Sequence, residues 1–499
     1  MAVAGTKRFQ NYIAGEWVDS VSGETFETAS PATGETLGVF PRSSAQDVDR
    51  AVEAAAAAFE EWRLVPAPRR GEVLFRFGQL LSEQKDDLAE LMAREMGKVL
   101  PEAAGDVQEA IDMSFYMGGE GRRLFGQTTP SELRDKFNMS VRQPIGVVGA
   151  ITPWNFPIAI PSWKITPALV CGNTVVFKPA TDTPLLGERL VELLVEAGLP
   201  SGVLNIVHGG GGEVGDRLVK HPDVRVITLT GSRQTGVEVM RNAADTLKHV
   251  HLELGGKNAI IVLDDADLDL AVEGIVWSAF GTSGQRCTAA SRVIVQEGAY
   301  EELQSRLVAA AEKLRLGPGW EEGVDVGPVI NRGALEKIDS YTKIGVDEGA
   351  KLLTGGEVAG GDGLGEGFFY RPTVFGEVDP GMRIAQEEIF GPTTALIRVR
   401  DVEEAIRVSN GIEYGLSSSI FTRDVNTAFR AMRDLQAGIT YINAGTIGAE
   451  VHLPFGGVKD TGNGHREAGQ AALDVFTEWK SIYVDYSGKL QKAQIDTAE

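Results

Sequence analysis

The chain has 499 residues, 43% of them hydrophobic and 24% charged, with a formal net charge of −22. That length predicts two or three domains rather than one core, and the charge argues against nucleic acid as a partner, because nothing in it would neutralise a phosphate backbone. Two cysteines cannot staple a protein of this size, so a reducing compartment, the cytoplasm, is expected.

The first eight residues place no apolar stretch behind their basic pair, so no secretory leader is read there. Apolar runs such as 145–151 are too short to cross a bilayer, so no membrane partner is expected. Helical periodicity predicts a helix over 45–62, with Asp47 and Asp49 in the first turn where the helix dipole favours acids. Two more amphipathic helices are predicted over 69–84 and 85–96.

From position 145 the pattern changes. Short β-branched runs at 146–151, 173–177, 204–207 and 224–229 alternate with helical stretches, notably 185–197 and 213–220. Alternating strand and helix predicts βαβ units and a parallel sheet buried on both faces, which binds ligands at the carboxyl ends of its strands. A second cycle follows: strand 258–262, helix 267–280, strand 292–295, helix 301–314. The glycine-rich stretch 355–367 reads as a surface hairpin or loop. The polar ending 485–499 either packs on a partner or frays.

Several segments fall where strands end. Thr152-Pro-Trp-Asn-Phe-Pro157 is a stiff loop in which Asn155 is a neutral donor suited to an oxyanion, or a turn residue bonded to its own backbone. Lys178 at the end of the second strand either reaches a ribose or phosphate or is solvated. At Thr181 a carboxylate would repel a 2′-phosphate; threonine leaves room for one. Gly210-Gly-Gly-Glu-Val-Gly215 matches GxGxxG without the expected acid downstream. Gly231-Ser-Arg-Gln-Thr-Gly236 is a better phosphate site, with Gly231 allowing close approach, Ser232 donating and a helix N-terminus behind it. Two such loops in one parallel sheet favour a dinucleotide.

Cys287 sits in Gly281-Thr-Ser-Gly-Gln-Arg-Cys-Thr288, small and polar surroundings that suit an accessible, reactive thiolate, whereas Cys171 in an apolar run reads as buried packing. Glu253 in Leu252-Glu-Leu-Gly-Gly-Lys257 is placed to activate a water. Strand alternation also puts His249, His251 and Glu253 on one face, a less favoured three-ligand metal reading. No G-x-S-x-G elbow supports a serine hydrolase.

Together these segments resemble the aldehyde dehydrogenase superfamily over essentially the whole chain. Thr152-Pro-Trp-Asn-Phe-Pro157, Leu252-Glu-Leu-Gly-Gly256, Gly284-Gln-Arg-Cys287, Glu387-Glu-Ile-Phe-Gly-Pro392 and Pro454-Phe-Gly-Gly457 match in order. The resemblance implies an α/β fold with a Rossmann-type cofactor domain (1–124 and 146–256), an α/β catalytic domain (257–460) and a small β oligomerisation flap (125–145 and 478–499). It implies Cys287 as nucleophile, Asn155 with the Cys287 amide as oxyanion hole, and Glu253 as the general base that hydrolyses a thioester formed after a thiohemiacetal. NAD or NADP, without metal, would meet Ile151, Thr152, Pro153, Trp154, Lys178, Ala180, Thr181, Gly212, Gly231, Ser232, Leu254, Glu388 and Phe390. Arg286 and Phe455 would meet a small-molecule aldehyde. Members are commonly homodimers or homotetramers.

Within the superfamily the chain is most similar to semialdehyde dehydrogenases. Arg94-Glu-Met-Gly-Lys-Val-Leu-Pro-Glu102 and Lys178-Pro-Ala-Thr181 resemble the 2,5-dioxopentanoate enzymes. Gln285-Arg-Cys287 is similar to the non-phosphorylating glyceraldehyde-3-phosphate dehydrogenases, and Gly448-Ala-Glu450 to the aminoadipic semialdehyde branch. Arg286 holds an anionic tail on one reading and a structural salt bridge on the other. A broad-specificity aldehyde dehydrogenase is the alternative within the family. A metal-dependent hydrolase and an inactive structural relative are the alternatives outside its chemistry.

Overall fold

The computed structural model describes residues 7–361 and 364–495. Positions 1–6 of the leader reading, 362–363 of the glycine-rich stretch and 496–499 of the polar ending lie outside the described residues.

The alternating segments build a seven-stranded sheet. Its spatial order is His249–Glu253, Val224–Thr230, Val147–Ile151, Thr174–Lys178, Leu204–Ile206, Asn11–Ile13, Glu16–Val18. The first five are mutually parallel, and the last two form an antiparallel edge hairpin. Strand alternation explains why both faces are apolar. Val148, Ala150, Val175 and Phe177 pack into one layer with Phe77, Ile165 and Leu190. Val147, Val176 and Ile227 pack into the other with Val48, Val52 and Leu218.

From Val147–Ile151 the chain adds strands on one side and then returns to add Val224–Thr230 on the other. This is the topological switch at which open parallel sheets take ligands. Register lines up Lys178 with Ile151, Ile151 with Leu229, and Thr230 with Glu253. The carboxyl edge therefore presents the ends of four strands in one row.

A second seven-stranded sheet runs Lys351–Thr354, Thr373–Gly376, Thr393–Val399, Ala290–Gln296, Asn258–Val262, Ser417–Phe421, Ile439–Ile442. It is parallel except for the first pair. A separate antiparallel sheet pairs Thr477–Asp485 with Lys136–Pro144, which also pairs with Gln127–Thr129. Among the described residues no helix is long and apolar enough to cross a membrane.

Helices Ala45–Trp62, Ala67–Glu83, Lys85–Glu95 and Pro184–Glu196 lie where periodicity predicts them. The predicted helix 213–220 is a π-helical turn, Gly211–Gly215, running into Asp216–Lys220. The segment predicted as helix 301–314 folds as Glu297–Ala311. Stretch 355–367 contributes a bridge from Val358 to Tyr370. The polar ending packs, with Tyr486 N–H donating to Asp135 (2.9 Å) and the Gln491 amide to Arg134 (2.7 Å).

Helices Arg332–Asp347, Val402–Asn410 and Val425–Asp434 also lie outside the predicted segments; two further ones escape the periodicity reading for physical reasons. Ala159–Cys171 is buried on nearly all sides and contains Pro167, so it shows no polar stripe. Leu100–Glu120 buries Glu102, Asp106 and Glu120 along with its apolar residues, which blurs its inner face.

Candidate active site

The cofactor-facing residues follow from the carboxyl row. Thr152 N–H donates to the Lys178 carbonyl at 3.2 Å, tying the two strand ends together, and Gly231 N–H donates to the Glu253 carbonyl at 3.0 Å. Lys178 is neither solvated nor extended. Its ammonium donates to the Pro179 carbonyl (3.0 Å), and burial lowers its pKa to about 8 against the opposing pull of Asp182. Ala180 is half-buried and Thr181 exposed. Nothing packs where side chains on Gly210, Gly211 or Gly212 would project, so that turn is open to a ligand. Ser232 caps helix Arg233–Ala243 by accepting from Thr235 N–H (3.2 Å), and Leu254 packs against Gly236 of the same helix.

The Cys287 loop is pinned from several distant segments. Thr282 and Ser283 adopt left-handed φ values of 52° and 55°, held by Glu102, which accepts from Thr282 N (2.8 Å) and Oγ1 (3.0 Å), and by the Ser283 hydroxyl donating to Gly327 (2.7 Å). Buried Asn155 donates through Nδ2 to the Gln285 carbonyl at 3.0 Å, and Asn258 donates to the Cys287 carbonyl at 2.7 Å. A carboxamide nitrogen has two protons, so Asn155 keeps one after anchoring the loop.

Cys287 is half-buried and free, and it lines the pocket. Burial, followed by the negative charge of Glu253, Glu388 and Glu467, pushes its thiol up to about 12; the Thr288 amide opposes this. At neutral pH the sulfur is protonated, and attack requires a base. Cys171 is buried and inert, as its surroundings indicate.

Glu253 ends its strand, is 3% exposed and lines the same pocket as Cys287. Burial and then Glu467 raise its pKa well above the usual carboxylate range, against Lys164 and Arg466. The two glycines that follow it have steric reasons. A side chain on Gly255 would overlap the Glu388 carboxylate, and one on Gly256 would overlap the Cys287 carbonyl oxygen. Three separate motifs therefore meet at one dipeptide. Trp154 and Phe390 pack edge to face at 5.5 Å, as do Trp163 and Phe455 at 5.4 Å.

Arg286 and Phe455 line the pocket beside Phe156, Trp163 and Ile447. Arg286 is already engaged: it lies 3.3 Å from Glu102, donates through Nε to Thr282 Oγ1 (2.9 Å) and stacks over Trp277 and Phe156. The pocket also contains Glu109, whose pKa rises to about 7 through burial and then Asp106, against Lys98 and Arg286. Asp106 accepts from Lys98 (2.7 Å) and from Ala159 N–H (2.7 Å), fixing the helix that follows the Asn155 loop. Residue-by-residue reading missed all four of Lys98, Glu102, Asp106 and Glu109. The available signal was the spacing of 102, 106 and 109, one face of a helix.

The histidine cluster splits. His249 faces Glu478 at 3.0 Å, while His251 turns into the interior, and no group of three among the described residues is arranged to hold a metal.

Residues 17–482 match the model of the aldehyde dehydrogenase family. An alpha-ketoglutarate semialdehyde dehydrogenase of Haloferax volcanii is 44% identical, covering 96% of this chain and 99% of that protein. An alpha-ketoglutaric semialdehyde dehydrogenase of Bacillus subtilis is 42% identical, covering 95% and 98%. Betaine aldehyde dehydrogenase from Staphylococcus aureus, solved in complex with NAD+, superposes with a TM-score of 0.94 at 35% identity, covering 96% of this chain and 95% of that one. Both the matched family and the shared α/β architecture extend across nearly the whole molecule, and this chain belongs to the aldehyde dehydrogenase family.

Proposed function

We propose that the protein oxidises a semialdehyde with an anionic tail, 2,5-dioxopentanoate foremost, to the carboxylic acid, with NAD or NADP as hydride acceptor. The observation that carries this reading is that Cys287 and Glu253 line one pocket at the edge where the strand-end loops converge. The substrate assignment draws on the two relatives named for that activity.

The residues present fit a dinucleotide. Open glycines at 210–212, the Ser232-capped helix and buried Lys178 line one side of the sheet edge, while Glu388, Phe390 and Trp154 border the pocket end. Ile151, Thr152, Pro153, Ala180, Thr181, Gly231 and Leu254 complete this surface. When bound, the nicotinamide supplies the acceptor for the aldehyde hydride. The chain supplies the rest. The Cys287 thiol gives its proton to solvent water in the pocket as its sulfur bonds to the aldehyde carbon, and the free Asn155 proton with the Cys287 amide stabilises the oxyanion. Glu253 takes a proton from the water that releases the acid. Thr181 carries no charge that would repel a 2′-phosphate, which makes NADP acceptable beside NAD.

The two large sheets divide the work as cofactor-binding (1–124 and 146–256) and catalytic (257–460) domains. The flap (125–145 and 478–499) carries most of the small sheet, whose Phe137, Trp479 and Tyr483 are exposed, and serves as the surface that assembles a homodimer or homotetramer.

A second reading is favoured by the pocket itself. Arg286 is paired with Glu102, and Phe156, Trp163 and Phe455 are aromatic, features that suit a neutral aldehyde. Initial rates over a panel of aldehydes, each with NAD and NADP, separate the two. The anionic-tail reading expects 2,5-dioxopentanoate or succinic semialdehyde to give the highest kcat/KM. Faster turnover of neutral aliphatic or aromatic aldehydes overturns it in favour of the broad-specificity reading.

A further inference from the structure

We infer that His251 is a positioning residue for Glu253: its Nε2–H faces the carboxylate and holds the general base in its ionised form. The inference rests on the proposed general-base role of Glu253.

Residues 251 and 253 lie on one face of their strand, and His251 is 2% exposed. Its Nδ1 is 3.0 Å from the hydroxyl of Thr228, its register partner on the neighbouring strand. The Lys164 ammonium donates to that same hydroxyl at 3.1 Å and is ion-paired with Glu467. A threonine hydroxyl has one proton and two lone pairs. Lys164 takes one lone pair, and among the described residues the hydroxyl's remaining partner is Nδ1, so the tautomer that satisfies the buried hydroxyl proton is the one in which Nδ1 accepts it; Glu467 Oε1, 3.7 Å from Nδ1, is already paired with Lys164. A neutral imidazole accepting at Nδ1 carries its own proton on Nε2.

Nε2 lies 3.5 Å from Glu253 Oε1. Among the described residues neither Nε2 nor either Glu253 oxygen has a hydrogen-bond partner, so two buried, unsatisfied groups face each other across a gap of 3.5 Å. The charged and titratable groups around the pair are Lys164 from helix Ala159–Cys171 and His465, Arg466 and Glu467 from the segment near 465, with Cys287 across the pocket. Burial, then Lys164, His465 and Arg466, keep His251 neutral, which preserves it as a donor and not a competing cation. A donor on the ionised form favours that form.

The test uses the full-length protein and stopped-flow measurement of reduced nicotinamide with an aldehyde that it turns over. His251→Leu removes the donor, and His251→Gln restores an amide donor at nearly the same reach. In the leucine variant the burst per folded active site should persist. Its steady-state rate should fall about tenfold, with the acidic limb of kcat displaced upward by about one pH unit. The glutamine variant should recover most of both. Rates normalised to burst amplitude remain readable even if the leucine variant folds in lower yield. Wild-type turnover and an unmoved acidic limb in His251→Leu would overturn the inference, as would a glutamine variant no better than leucine. Glu253→Gln, measured alongside, separates the two levels. Normal turnover there removes the general-base reading itself, whereas a stall after the burst combined with normal His251→Leu removes only the role of the histidine.

Discussion

The backbone amide of Gly256 donates to Glu388 Oε1 at 2.9 Å, joining the turn after Glu253 to the Glu388 carboxylate. The α-carbon of Gly256 abuts the Cys287 carbonyl, so one residue contacts both the nucleophile loop and Glu388.

Gly256→Ala must therefore move one of these neighbours. A displacement of about 1 Å at a reacting centre costs on the order of a hundredfold in rate. The burst of reduced nicotinamide should slow by about that factor in stopped-flow, with circular dichroism unchanged. A burst within about twofold of wild type would mean that the loop yields without disturbing the sulfur.

Glu109 offers a pH dependence in substrate affinity. Its pKa, raised to about 7, leaves it neutral below that pH and ionised above it. A neutral carboxyl donates to an anionic tail, while an ionised one repels it. KM for a carboxylate-bearing aldehyde should rise by about tenfold between pH 6 and pH 8, while KM for a neutral aldehyde stays level. Glu109→Gln should flatten the first profile. An unchanged profile in that variant assigns the titration to another group.

Thr181→Glu places a carboxylate on an exposed turn beside Lys178. It should lower kcat/KM for NADP by about tenfold or more and leave NAD within about threefold, with the NADP penalty shrinking as salt screens it. Equal losses for both cofactors would indicate that residue 181 does not face the 2′-position.

The fold of the first sheet was legible because strand, turn and helix are local signals. Asn155, Lys178 and Ser232 each follow a short β-branched run. What was hidden depends on contacts between distant segments. Asp106 caps a helix 53 residues away, and Glu102 bonds Thr282 across 180 positions. The charge around Cys287 was hidden for the same reason. Its immediate neighbours are small and polar, yet Glu253, Glu388 and Glu467 converge on it from three other segments. His251 stood in view as a metal ligand, and only the register with Thr228 gives it a different partner.

The ion pair between Lys164 and Glu467 spans 303 residues of chain. During synthesis the ammonium is made long before its counter-ion, and Lys164 is fully buried in the finished molecule. Packing of helix Ala159–Cys171 on the first sheet without residue 467 would therefore bury an uncompensated cation. Docking of that late segment neutralises the interior and supplies one wall of the pocket in the same event. A chain ending before residue 467 would thus leave this ammonium unpaired and the pocket without one of its walls.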